Sequence, residues 1–179
     1  IIKIPPEENQ FCAPTFIEAM LECPKEKKCP IGNECGQGEI CFGNTNCDRE
    51  LKDPVSDIIF TLKGPDDIME DEDIAIFREV IFEILATIFA DLKIHLEEMT
   101  VTDQRYFSDS ESVELSVIFN SKYRPPPRQK IDSVIENSIN LQKDVVKGKI
   151  KKAGNEVRRW YFSKLEEISA VSRENATKR

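Results

Sequence analysis

The chain has 179 residues, 40% of them hydrophobic and 32% charged, with a formal net charge of −8 and pI near 4.9. That balance is globular; it excludes a low-complexity chain, and the acidic pI argues against a nucleic-acid binder. The most apolar stretch, Ile74 to Ile94, carries Arg78, Glu79, Glu83, Asp91 and Lys93, so it reads as an amphipathic or buried helix and no transmembrane segment is expected.

Charge is unevenly placed. Residues 1–50 carry −4, residues 51–120 carry −12 and residues 121–179 carry +8. The basic tail (Lys143, Lys147, Lys149, Lys151, Lys152, Arg158, Arg159) could face an anionic surface. The reading preferred is a solvated face that pairs with the acidic middle. There is no signal peptide and no initial methionine, which fits a mature or excised fragment.

Residues 1–10 form a leader or linker in which Pro5 and Pro6 block a helix. Residues 11–50 then hold all six cysteines: Cys12, Cys23, Cys29, Cys35, Cys41 and Cys47, the last five at intervals of six. An even number of cysteines in a segment too short for a real core implies a disulfide framework and an oxidising compartment. Fifteen pairings are open. Structural zinc is disfavoured, because the spacers lack C-x2-C pairs and the only histidine, His95, is distant. No metal and no cofactor are expected. Phe16 to Leu21 could make one or two helical turns, and Phe11, Phe16, Ile40 and Phe42 should join the cystines in a small core.

From residue 55 to 172 the pattern is that of a second domain. Asp57 to Lys63 alternates as a strand ended by Gly64-Pro65. The acidic run from Asp66 to Asp73 lacks the glycine and spacing of a calcium loop and reads as capping of the next helix. Ile74, Phe77, Ile81, Ile84, Leu85, Ile88 and Leu92 recur at helical spacing. Strands follow at Lys93 to Tyr106 and Ser112 to Lys122, joined by a polar hairpin link. Tyr123 to Arg128 is a stiff polyproline crossover. Helical pieces start near Ile131 and Leu141. Residues 156–172 are left open between helix and strand, with Trp160 and Tyr161 read as core rather than partner surface. Residues 173–179 are a tail with one glycosylation sequon at Asn175. The fold class expected is α+β, a small disulfide-rich module followed by a ferredoxin-like β-α-β-β-α-(β) domain.

Two stretches resemble known families. Phe11-Cys12 with Cys29-Pro30-x-Gly32-x-x-Cys35-x-x-Gly38-x-x-Cys41-Phe42-x-x-x-x-Cys47 resembles a cysteine-rich repeat of secreted diatom and oomycete (stramenopile) proteins. The resemblance implies cell-wall or carbohydrate-active surroundings. Val113 to Phe119 followed by Tyr123-Arg124-Pro125-Pro126-Pro127 is similar to SEA-like extracellular domains, which implies the ferredoxin-like order and a place at cell surfaces. SEA self-cleavage uses a Gly-Ser bond; the corresponding link offers Ser108, Ser110 and Ser112 without glycine, so autoproteolysis is not expected.

No catalytic constellation is visible: the cysteines should be oxidised, and His95 reads as structural or surface. The function expected is therefore non-catalytic: adhesion, scaffolding or assembly at a cell surface or in an extracellular matrix, with protein partners or self-association. An organelle lumen would satisfy the same redox requirement. The alternative is polysaccharide binding, with Phe16 and Phe42 stacking on sugar rings. A third reading is a protease inhibitor presenting the loop Ile31 to Glu34.

Overall fold

The structure is a computed structural model that describes residues 10–125 and 130–177. The leader and the proline run beyond Pro125 lie largely outside those residues. The chain divides into two compact units.

The first unit contains the described residues up to Asp53 together with Phe89–His95 and 121–125. Strand β1 (Phe11–Ala13) pairs antiparallel with β2 (Ile40–Phe42), with Cys12 opposite Cys41. Between them lies helix α1 (Phe16–Glu22), capped by Thr15, whose hydroxyl accepts from the Glu18 amide at 3.2 Å. The helix stops at Cys23, which adopts a left-handed φ of 42°. Three disulfides close the unit: Cys12–Cys35, Cys23–Cys47 and Cys29–Cys41. All six cysteines are paired, and none remains as a free thiol.

Phe11, Ala13 and Ala19 make the small core, with Cys23, Phe42 and Cys47 packed against it. Ile40, expected in that core, is instead 60% exposed. Phe42, at the opposite end of the same short strand, is the residue that α1 reaches, through the edge of Phe16.

The second unit is a four-stranded sheet with helices on one face. Its elements run β3 (Val55–Lys63), α2 (Asp71–Asp91), β4 (His95–Phe107), β5 (Ser112–Lys122), α3 (Ile131–Leu141), α4 (Lys143–Glu156) and β6 (Glu167–Ser172). A short 3-10 turn (Tyr161–Lys164) precedes β6, and helix α5 (Arg173–Thr177) follows it. This resolves the open segment: 3-10 turn first, then strand.

The strand order is β4-β5-β3-β6. Strand β3 is central and antiparallel to both neighbours, with Phe60 opposite Leu115 on one side and Ala170 on the other. Alternation explains the layers. Ile58, Phe60 and Leu62 of β3 and Val113, Leu115, Val117 and Phe119 of β5 are wholly buried, while the residues between them are half-covered. Phe60 meets Phe77 of α2 edge-on at 5.3 Å and Phe119 at 6.3 Å, which places α2 on the buried face. Ile135, Ile139, Val146 and Ile150 of α3 and α4 complete the core.

At the outer strand β6 a side-chain amide stands in for a missing neighbour, and a side chain of the outer strand β4 plays that part for the loop before α2. On β6, Asn140 donates to the Ala170 carbonyl (2.7 Å) and accepts from its amide (2.9 Å). On β4, Gln104 does the same for the backbone of Met69, at 3.1 and 2.7 Å. The first closes an edge that could otherwise template another strand.

Candidate binding groove

Helix α2 packs its buried stripe inward and leaves a second stripe, Ala75, Glu79, Phe82, Glu83 and Ala86, at helical spacing on its outer side. Strand β4 runs beside it. Along β4 the alternation slips: Leu96 and Met99 are both buried, and Glu97 and Glu98 between them both face outward.

The result is an open groove of about 670 Å³ between α2 and β4. Its floor is apolar, with Phe82, Met99, Ala75 and Ala86; its rim is acidic, with Glu79, Glu83, Glu97 and Glu98 against a single cation, Arg78. Glu79 and Glu83 carry no ion pair among the described residues. A second recess on the other flank of α2 shares those two glutamates with Lys149, Lys152 and Val157 of the α4 side. An apolar floor inside a carboxylate rim suits a ligand that carries both an apolar group and a positive charge.

A clamp holds one end of this helix. The acidic run does cap α2: Asp71, Glu72 and Asp73 occupy its first turn, and the Asp73 carboxylate accepts from the Glu70 amide at 3.1 Å. Asp73 is only 2% exposed, and Arg159 donates to it at 2.8 Å and to Glu70 at 2.7 Å. Those carboxylates hold the Arg159 guanidinium charged well beyond its ordinary range, through its hydrogen bonds to Asp73 and then Glu70. Nearby, Lys164 bonds Asp66 at 2.7 Å and pulls that carboxyl below the usual range. Burial pushes the Tyr161 phenol up, helped by Asp73, Asp67 and Asp66, while its hydroxyl donates to the Asp67 carbonyl. Much of the basic tail is thus spent inside the unit: Lys147 and Lys151 also bond the carbonyls of Glu166 and Leu165.

Other residues singled out by sequence fall as follows. Phe16 and Phe42 are half-buried and meet edge to face at 6.1 Å, and the Lys93 ammonium sits 4.4 Å above the Phe16 ring. A sugar would compete with that cation for the ring face. The Ile31–Glu34 loop is exposed but folds as a tight turn, with φ of 89° at Gly32 and 57° at Asn33 and the Asn33 amide bonded to the Pro30 carbonyl. Protease-inhibiting loops are extended, so this shape differs from what that role asks of it. Asn175 is half-buried in α5, its side-chain amide donating to Glu136 at 2.8 Å. Ser108, Ser110 and Ser112 lie at the β4–β5 turn, where Ser110 and Ser112 bond each other at 2.7 Å. His95 opens β4, half-buried.

Trp160, expected in the core, is 65% exposed. The next two residues take the inward places instead: Tyr161 is half-buried and Phe162 wholly buried, because the 3-10 turn leaves room for one ring against α4. Sequence reading also missed the groove. Its signal was present in Leu96-Glu97-Glu98-Met99, where strand alternation fails.

No protein-family model matches the chain, and no curated protein matches it. Among solved structures, the full extracellular region of zebrafish Gpr126/Adgrg6 aligns with a TM-score of 0.34 and 6% identity over 66% of this chain. The chain spans 13% of that protein. Among the described residues, no helix is long and apolar enough to cross a membrane. Three disulfides place the chain in an oxidising environment.

Proposed function

We propose that the chain is a non-catalytic extracellular or cell-surface protein that works in adhesion, scaffolding or assembly, contacting protein partners through the groove between α2 and β4. The second unit is read as a SEA-like, ferredoxin-like domain: its β-α-β-β-α-β sequence of elements and strand order β4-β5-β3-β6 support that plan. The first unit is read as a cysteine-rich repeat of the kind in secreted stramenopile proteins, supported by the cysteine spacing quoted above.

The observation that carries the functional reading is the groove itself. Floor and rim chemistry match a protein segment with an apolar anchor and a cation: the adjoining carboxylates at α2 are paired with Arg159, while Glu79 and Glu83, which share a recess with Lys149 and Lys152, form no ion pair among the described residues. No nucleophile and base with a third orienting group are brought together there.

The test places a photo-cross-linking residue at Ala86, inside the groove, or at Gly148 on the exposed side of α4. Each full-length protein is irradiated with the extracellular fraction of the organism from which the sequence comes. Protein adducts specific to position 86 support the reading. Adducts to polysaccharide alone, or equal labelling from both positions, overturn it.

A further inference from the structure

The turn between α4 and the 3-10 helix builds a small, rigid, apolar and cationic projection. Val157 is 59% exposed and Trp160, the chain's one tryptophan, 65% exposed, with Arg158 exposed between them. The projection is held from beneath. The Trp160 carbonyl accepts from the Ser163 amide (3.0 Å) and hydroxyl (2.6 Å), and Arg159 is clamped on Asp73. Arg158 takes a left-handed φ of 57°, its amide bonded to the Asn155 carbonyl, and its side chain has no ion pair among the described residues. An exposed tryptophan on a hydrogen-bonded turn, beside an arginine without an ion pair among the described residues, has the composition of an interface anchor, because tryptophan and arginine are the residue types that most often dominate binding energy.

We propose that the groove between α2 and β4 of one chain receives the Val157–Trp160 projection of a second copy. Each side supplies what the other lacks. The indole meets Phe82 and Met99 on the floor, and the Arg158 guanidinium meets the Glu79, Glu83 and Glu98 rim. A groove of about 670 Å³ has ample room for an indole. Among the other exposed apolar residues, the neighbouring Leu141 and Val145 have the exposed carboxylate of Asp144 between them, which would face the same acidic rim unfavourably. The contact joins two different patches, so copies add in one direction unless two contacts close reciprocally. This inference rests on the groove being a protein-binding surface and names its occupant.

The experiment uses two exposed-site variants of the full chain, Trp160→Ala (no projection) and Glu83→Arg (inverted rim). Sedimentation velocity of the wild type over rising concentration, in low salt, should show self-association weakened at least ~30-fold in either variant. Raising salt should weaken the wild type too. Mixing the variants should restore a complex, since one still offers a groove and the other a projection. Only the Glu83→Arg partner carries a tryptophan, so its emission should shift to the blue on mixing as Trp160 leaves water. Leu141→Ala should associate like the wild type. A wild type that stays monomeric, association insensitive to both variants, or a mixture that neither associates nor shifts would overturn the inference. If the wild type is monomeric yet residue 86 still cross-links to a different protein, the inference fails alone. If both experiments are negative, the functional reading fails with it.

Discussion

Gly64 ends β3, and a single methyl group there should be among the most damaging changes in the second unit. Its φ of 114° lies where side-chain-bearing residues strain. A Cβ at this position would run into the backbone carbonyl of Lys164 and lie 3.1 Å from the Glu166 amide nitrogen. Neither group can yield freely. The Glu166 amide bonds the Lys63 carbonyl at 2.8 Å, and the Gly64 amide bonds the Glu111 carbonyl at 2.9 Å. Backbone strain costs about 1–3 kcal/mol. Displacing the 164–166 segment adds about 1 kcal/mol for each backbone hydrogen bond lost. Gly64→Ala should therefore cost about 3–5 kcal/mol, a fall of roughly 10–20 °C in the melting temperature of a unit this size. The same substitution at Gly148 meets nothing within 4 Å on the exposed side of α4 and should stabilise by about 0.5–1 kcal/mol through helix propensity. Thermal and urea unfolding of the two variants side by side checks the argument. A loss below about 1 kcal/mol for Gly64→Ala would show that the strand end relaxes freely, and the steric reasoning would be wrong.

Three further outcomes are expected. Asn140→Ala removes both hydrogen bonds to Ala170 and should cost about 2 kcal/mol; it also bares the β6 edge, so slow aggregation measured by light scattering should increase, and an unchanged midpoint with no aggregation would refute the edge-closing role. Burial holds the Tyr161 phenol above its ordinary value, so the folded chain keeps that proton more tightly than the unfolded chain. The resulting stability is complete below about pH 10 and drains as pH rises toward the folded value. Urea midpoints of the wild type should thus fall more steeply from pH 9 to 11.5 than those of Tyr161→Phe, and parallel curves would count against it. Finally, the Ser56 hydroxyl is fully buried and without a hydrogen-bond partner among the described residues, so Ser56→Ala should be neutral or stabilise by up to about 1 kcal/mol, read from chemical denaturation.

How much of this was legible beforehand depends on whether the information was local. Strand β5 matches its expected bounds because Val113, Leu115, Val117 and Phe119 alternate without interruption. Helix α2 begins at Asp71, three residues before the apolar stripe, because capping carboxylates and not hydrophobes define its first turn. Strand β6 was ambiguous for a physical reason. Its inward residues beyond Ile168 are the small Ala170 and Ser172, while Val171 faces outward, so hydrophobicity does not mark its buried face. Only its pairing with β3, more than a hundred residues earlier, settles it. Trp160 was misplaced because a large apolar residue next to Tyr161 and Phe162 reads as core until a turn decides which of the three rings points inward. The groove needed tertiary information as well, since Phe82 and Met99 become neighbours only when α2 lies beside β4.

The disulfide pattern has a consequence for how the chain withstands proteolysis. Each bond joins one of the first three cysteines, Cys12, Cys23 or Cys29, to one of the last three, Cys35, Cys41 or Cys47. The exposed turn at Ile31–Glu34 falls between the two sets, so a protease that nicks it leaves both fragments tied by three covalent bonds, and the mass separates only on reduction. The same arithmetic governs biosynthesis. No native crosslink can form until Cys35 has entered the oxidising compartment, and the other two must wait for Cys41 and Cys47 in turn.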